Sequence, residues 1–204
     1  MKLTNILRIN HYIKYYYFKI YTTMTAINKK CLNVGCGNDV RLGWNNYDAF
    51  PINDKVIKFD ILSTADLSEL ANKKFDIIEC NHVIGYINYI CAVNFFKAAY
   101  SSLNVGGKLI VEFPDAIKLS KKLSGIQDFS NMDDYVEVIR GMYAYDSNDP
   151  FDQAFSKKTY IFGWSVPIVN KALNDAGFIC LKSMNPKTHG QLIWRDSRVE
   201  AFKF

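Results

Sequence analysis

Three short apolar runs in this chain end in residues that can hold a ligand. Cys31-Leu32-Asn33-Val34-Gly35-Cys36-Gly37 runs into a Gly-Cys-Gly turn, and glycine at both places lets the backbone pass close to a bound molecule where a side chain would fill the space. Eleven residues after Gly37, Asp48 closes the run Asn45-Asn46-Tyr47-Asp48, and a carboxylate so placed can accept hydrogen bonds from the two hydroxyls of a ribose. Asp60 follows a third run and can accept from an exocyclic amine such as that of adenine. One glycine turn or one acid is ordinary in a solvated loop. Three in succession, each closing an apolar run, point to a binding edge.

Proton transfer needs a group that titrates near neutrality. Among the three histidines, His82 follows the fourth run, Phe75 to Cys80, and a neutral imidazole suits a general base. Asp115, after Phe113-Pro114, is a second candidate; it can equally cap the helix expected over 116–122, since aspartate accepts the free N–H groups of a first turn. His11 and His189 lie in an N-terminal helix and a distant loop. Tyr143, Tyr145, Asp146, Asp152, Tyr160 and Trp164 crowd one Tyr/Asp/Asn-rich stretch. Such residues can form an acceptor surface for a sugar, stacking rings on its apolar faces and offering carboxylates to its hydroxyls. The same composition also describes an irregular solvent-facing loop.

The elements that would position these groups alternate in type. Strands are expected near 30–35, 45–49, 56–59, 75–80 and 107–113, with helices over 65–72, 88–103 and 165–175. Asn104-Val105-Gly106-Gly107 reads as the break between helix and strand, with Gly106 or Gly107 at positive φ. Residues 114–163 read as an insertion over the site holding one or two helices. Segments 178–184 and 197–204 read as an antiparallel hairpin on the sheet edge. The expectation is an α/β, Rossmann-like doubly wound, mostly parallel seven-stranded sheet with that C-terminal hairpin and an N-terminal helix. Residues 29–204 are expected to form one domain.

The chain has 204 residues, 49% hydrophobic and 15% aromatic, enough apolar material for a sizeable core and too much for a disordered tail. Five cysteines without a CxxC pair predict reduced thiols, no zinc site and no disulfide framework. Of the net charge of +5, Lys2, Arg8, Lys14, Lys19, Lys29 and Lys30 supply more than the whole, leaving 19 basic against 20 acidic residues beyond position 30. Residues 1–28 read as an amphipathic basic helix, with Leu3, Ile6, Leu7, Ile13, Tyr17, Ile20 and Met24 at helical spacing. Such a helix either packs on the following domain or, through residues 1–24, meets a partner, a second copy or a membrane surface. No apolar run reaches the roughly 18 residues of a membrane span, and no secretory leader is recognisable. A cytoplasmic protein is expected.

Taken together the motifs resemble the class I S-adenosylmethionine (SAM)-dependent methyltransferases. They are most similar to a small bacterial and viral branch sharing "LNLGCG…GW.N.D", "FD.I…HVLEH", "LKPGG…PD" and "AGF". The matching stretches are LNVGCG at 32–37, GWNNYD at 43–48, KFDIIECNHVIGYI at 74–87, LNVGGKLIVEFPD at 103–115, FGWS at 162–165 and LNDAGF at 173–178. The resemblance implies that Asn33, Val34, Gly35, Cys36 and Gly37 bind SAM, with Gly35, Cys36 and Gly37 passing beneath its methionine part. It implies that Asp48 holds the ribose and that Asp60 and Ile61 frame the adenine. Asn81 and His82 would line the pocket after the fourth strand, His82 either packing beside the cofactor or serving as base. Gly85-Tyr86 stands where the branch has Glu-His, and Tyr86 can then cover the methionine moiety as an aromatic wall. The acceptor implied is a small molecule or glycan methylated at oxygen, through a surface including Tyr143, Tyr145, Tyr160 and Trp164. No (D/N/S)PP(Y/F) tetrapeptide follows the fourth strand and no Pro-Cys nucleophile is present, which, with the near-neutral body, argues against a nucleic-acid base as acceptor. Two other readings are open. One is a catalytically silent module of the same fold docking through its N-terminal helix; the other, weaker, is an NAD-dependent oxidoreductase, which lacks the third glycine because position 40 is Val.

Overall fold

A computed structural model describes residues 29–126, 132–143, 159–188 and 192–204. The expected N-terminal helix, together with His11, Tyr145, Asp146, Asp152 and His189, lies outside the described residues. The elements are β1 (Cys31–Val34), β2 (Asn45–Asp48), β3 (Val56–Lys58), α1 (Thr64–Ala71), β4 (Phe75–Asn81), α2 (Tyr89–Ser102), β5 (Leu103–Pro114), α3 (Ala116–Ser124), α4 (Met132–Tyr143), α5 (Val166–Asp175), β6 (Cys180–Met184) and β7 (Asp196–Phe202). A 3-10 turn, Ile84–Tyr86, joins β4 to α2.

The seven strands form one sheet in the order β3-β2-β1-β4-β5-β7-β6. The first five are parallel, while β7 runs antiparallel between β5 and β6. From β1 the chain steps outward to β2 and β3, then returns to place β4 on the other side of β1. That reversal leaves a crevice at the carboxyl ends of β1 and β4, the place where open α/β sheets bind ligands.

Strand periodicity gives the sheet two unlike faces. Leu32, Ile78, Leu109 and Ala201 are cross-strand neighbours, as are Val34, Cys80, Val111 and Val199. All are buried in one apolar core with residues of α1, α2 and α5 such as Leu70, Phe95, Phe96, Val169 and Leu173. The opposite face carries the rows Asn33–Glu79–Ile110–Glu200 and Asn81–Glu112–Arg198. Its charges are satisfied by one another: Arg198 lies 3.4 Å from Glu112 and 3.2 Å from Glu200, and Arg41 lies 2.6 Å from Glu79.

Local chemistry sets the element ends. Ser63, Asn88 and Asp115 cap α1, α2 and α3 with their side chains. Helix α5 stops at Ala176-Gly177-Phe178: Gly177 has φ +104°, and the Phe178 N–H donates to the Leu173 carbonyl at 3.1 Å while its ring enters the core. This is a helix end that only glycine adopts without strain. One boundary differs from the sequence reading. Residues 104–107, read as the break between helix and strand, are already strand: β5 begins at Leu103 opposite Phe75 and shifts register before Lys108 meets Ile77. Gly106 at φ +81° makes the irregularity possible, and a Cβ on Gly107 would lie 2.9 Å from the Asn104 carbonyl oxygen. Among the described residues no helix is long and apolar enough to cross a membrane.

Candidate active site

The glycine turn is built against both neighbouring strands. The N–H groups of Gly35 and Cys36 both donate to the Tyr47 carbonyl, at 2.7 and 3.1 Å, anchoring the turn to β2. Gly35 has φ +67°, and a Cβ there would lie 2.1 Å from a Val83 methyl carbon. The turn after β1 therefore packs directly on the turn after β4. At Gly37, φ is +48° and the space around a Cβ is open, so that glycine answers to conformation. Its N–H donates to Asp48 Oδ2 at 2.8 Å, and the Phe50 N–H donates to Oδ1 at 2.9 Å. The Asp48 carboxylate is thus pinned at the rim of the crevice by one bond per oxygen, and each oxygen can accept another. Burial chiefly, with Asp48 adding to it, pushes the Cys36 thiol up, so the turn carries no thiolate.

The other expected cofactor contacts divide into two groups. Asp60 lies after β3, its Oδ1 accepting from the Leu62 N–H at 2.9 Å and its own N–H donating to Asp66 Oδ2 at 2.6 Å. Ile61 packs against the core beside it. Val34 is a buried core residue. Asn33, 2% exposed, lies on the polar face and gives its amide to the Asp39 carbonyl at 2.8 Å. With Asn46, which bonds the backbone of Arg41 and Trp44, it braces the loop behind the glycine turn.

At the end of β4, Asn81 gives its amide to Glu79 at 3.2 Å, while its Oδ1 is buried without a hydrogen-bond partner. An orphaned buried acceptor is costly and marks a place for a donor. His82 follows at φ +57°, a left-handed conformation that costs a non-glycine residue energy and clusters at functional sites. Its N–H donates to the Glu112 carbonyl at 2.7 Å, which turns the imidazole toward β5 and β7. There Nε2 lies 3.5 Å from Asp196 Oδ2 and 3.9 Å from Glu112 Oε1.

Both carboxylates are already matched. Arg195 forks onto Asp196 at 2.7 and 2.8 Å. Glu112 accepts from the N–H groups of Lys187 and Thr188 at 2.8 and 2.9 Å and from Arg198 at 3.4 Å. Burial alone would raise the Glu112 carboxyl, but the Lys187 and Thr188 bonds and the His82 charge outweigh it and hold it below the usual range. The donor atoms of His82, Glu112 and Asp196 lie within 4.8 Å of one another, close enough for a divalent ion. With a guanidinium on each acid, however, the arrangement is that of an imidazole between two paired carboxylates. Asp196 and Arg195 escaped the sequence reading because their position at the end of β5, Asp196 opposite Pro114, depends on the antiparallel return of β7; the one local signal was Glu112, a lone charge inside the apolar run Leu109 to Phe113.

Beyond His82 the 3-10 turn is a partition. Val83 faces the glycine turn; on the other side Gly85 is covered by Tyr160, whose ring lies 2.4 Å from where a Cβ would be. The Gly85 carbonyl accepts from Ile161 at 2.8 Å and Phe162 at 3.3 Å, and the Ile84 carbonyl from the Trp164 indole at 2.6 Å. The Tyr86 and Tyr160 rings lie 4.7 Å apart. Glycine at 85 is therefore the seat of Tyr160, which accounts for the departure from Glu-His. Burial chiefly, then the neighbouring Tyr86, pushes the Tyr160 hydroxyl up, so it stays neutral. A cavity of about 250 Å³ opens beside Gly85, and Tyr143, Tyr160 and Trp164 all line it. Trp164 is only 1% exposed and Tyr143 51%. Asp115 stands apart: Oδ1 accepts from Ile117 at 2.9 Å and Lys118 at 3.4 Å, and Oδ2 from the Ser197 hydroxyl at 2.8 Å. Both oxygens are committed to capping α3 and tying it to β7, which weighs against the role of base.

Neither a family model nor a curated protein matches the chain. Solved structures do. A SAM-dependent methyltransferase from Clostridium acetobutylicum is 15% identical with TM-score 0.53, covering 94% of this chain and 92% of that one. A SAM dependent methyltransferase from Archaeoglobus fulgidus is 14% identical with TM-score 0.53, covering 95% and 94%. An O-methyltransferase family protein from Burkholderia thailandensis is 9% identical with TM-score 0.56, covering 94% of this chain and 56% of its own. At such identities the likeness is one of fold: this chain has the class I SAM-dependent methyltransferase fold.

Proposed function

We propose that the chain is a SAM-dependent methyltransferase that moves a methyl group to a small-molecule or glycan-type acceptor, at oxygen. The observation that carries this reading is the glycine turn after β1, whose Gly37 N–H, with that of Phe50, holds the Asp48 carboxylate at the carboxyl end of β2. These groups fit SAM. The glycine turn passes beneath the methionine part, Asp48 accepts from the ribose hydroxyls, Asp60 and Ile61 frame the adenine, Asn81 Oδ1 takes a donor, and Tyr86 walls the methionine end.

Bound there, SAM supplies a sulfonium-activated methyl group. The chain's part is to align the acceptor and exclude water, worth roughly 7–11 kcal/mol of such a barrier. A base adds about 10²–10⁴ when the acceptor is a hydroxyl. His82 fits that role: Nε2 lies 3.5 Å from Asp196 and 3.9 Å from Glu112, and the two carboxylates would stabilise the imidazolium once formed.

Titration calorimetry of the full chain with SAM, S-adenosylhomocysteine and NAD tests this. The two adenosyl ligands are expected to bind and NAD not, and Asp48→Ala, still folded though it loses the Gly37 and Phe50 bonds, should weaken both adenosyl ligands by about 100-fold or more, the worth of two hydrogen bonds to a charged group. Full affinity in that variant would overturn the site.

A further inference from the structure

We infer that the cavity beside Gly85 is the acceptor site and that it takes a compact, largely apolar single-ring molecule bearing a hydroxyl, rather than a sugar. The inference rests on the methyltransferase reading for the word acceptor. The shape and lining of the cavity stand independently of it.

Size comes first. A volume of about 250 Å³ is below the 300–1,000 Å³ of drug-sized pockets, yet larger than the ~150 Å³ apolar cavity that holds benzene in another protein. One substituted ring fills it. The walls come next: Leu119, Met142, Phe162 and Trp164 are apolar, and Met142 can adapt to a ring edge. A pyranose would bring a hydroxyl on most ring carbons to walls offering few partners, and a buried hydroxyl without a hydrogen bond is penalised.

Position follows from the partition. Val83 packs on the Gly35 turn while Gly85 borders the cavity, so one short turn separates the cofactor crevice from the cavity. The polar end of the cavity is Tyr160, whose ring lies 4.7 Å from that of Tyr86. The Arg195 stem reaches the Gly141 wall, 3.1 Å from where a Cβ would be. Asp196 is the acid 3.5 Å from His82 Nε2. The Gly141–Tyr160 end of the cavity therefore borders the Arg195–Asp196–His82 cluster.

The test uses ligand-observed NMR on the full chain saturated with S-adenosylhomocysteine, with 4-methylphenol and methyl α-glucoside as probes. Ala116→Leu and Ser120→Leu each extend a side chain from α3 into the cavity. The phenol is expected to bind and the glucoside not. Each variant should weaken the phenol at least tenfold while calorimetric S-adenosylhomocysteine affinity stays within twofold, a control that also reports folding. Binding of the glucoside, absence of phenol binding, or phenol binding undiminished in both variants would overturn the inference. If the phenol binds and S-adenosylhomocysteine does not, the methyltransferase reading fails and takes the acceptor role with it, while the ring-binding cavity stands.

Discussion

Gly85 shows how much one missing side chain can decide. Its Cβ would stand 2.4 to 2.8 Å from three carbons of the Tyr160 ring, and its carbonyl holds two N–H groups of the same segment. Gly85→Ala must therefore displace the ring. We expect a loss of about 1–3 kcal/mol from overpacking, read as a fall in Tm of roughly 2–4 °C per kcal/mol for a chain of this size. Tyr160→Ala destabilises on its own by removing a buried ring. In the double variant the alanine methyl no longer meets the ring, so the two losses should sum to more than the combined effect, with a coupling of about 0.5–3 kcal/mol. Strict additivity would mean that the contact is not what makes position 85 glycine. Resemblance flagged Gly85-Tyr86 as a departure; the reason lay 75 residues downstream, where no local pattern pointed back to it.

At the scale of elements, Asp115 separates a structural from a chemical role. It ends β5 and starts α3, and its carboxylate holds Ile117, Lys118 and Ser197. Asp115→Ala should cost about 1–2 kcal/mol and speed amide exchange in the first turn of α3, leaving S-adenosylhomocysteine affinity unchanged. Asp115→Asn, which keeps an acceptor oxygen, should restore most of the stability and any turnover. Turnover abolished in Asp115→Asn at an unchanged Tm would return the aspartate to the list of bases. Most elements were legible because their signals are local: caps precede helices, glycines end them, and alternation marks strands. The start of β5 was not, because Leu103 becomes strand by pairing with Phe75 across a register shift, and pairing is invisible in a single segment.

Over the whole molecule, the polar face of the sheet links stability to acid pH. Glu112 and Glu200 are both held below the ordinary glutamate range despite burial, Glu112 by the Lys187 and Thr188 N–H groups, Glu200 by Lys108 and Arg198. Their carboxylates are favoured more in the folded than in the unfolded chain. The stability they contribute is present in full above the unfolded value of about 4.3 and is lost as pH falls through their lower folded values. Tm should decline below about pH 4.3, and Glu112→Gln should lower Tm at pH 7 while making the acid-side decline shallower. An unaltered decline in that variant would show that Glu112 takes no part in it. The order of elements, the glycine turn, Asp48 and the candidacy of His82 were determined by the sequence alone, since each depends on residues adjacent along the chain. Tertiary structure decided the rest: which acids face His82 and where the cavity lies. Those depend on β5 pairing with β4, on β7 returning antiparallel beside β5 and on residues 160–164 folding back over the 3-10 turn, contacts that bring together groups 30 to 114 positions apart, where only packing and register select the partner.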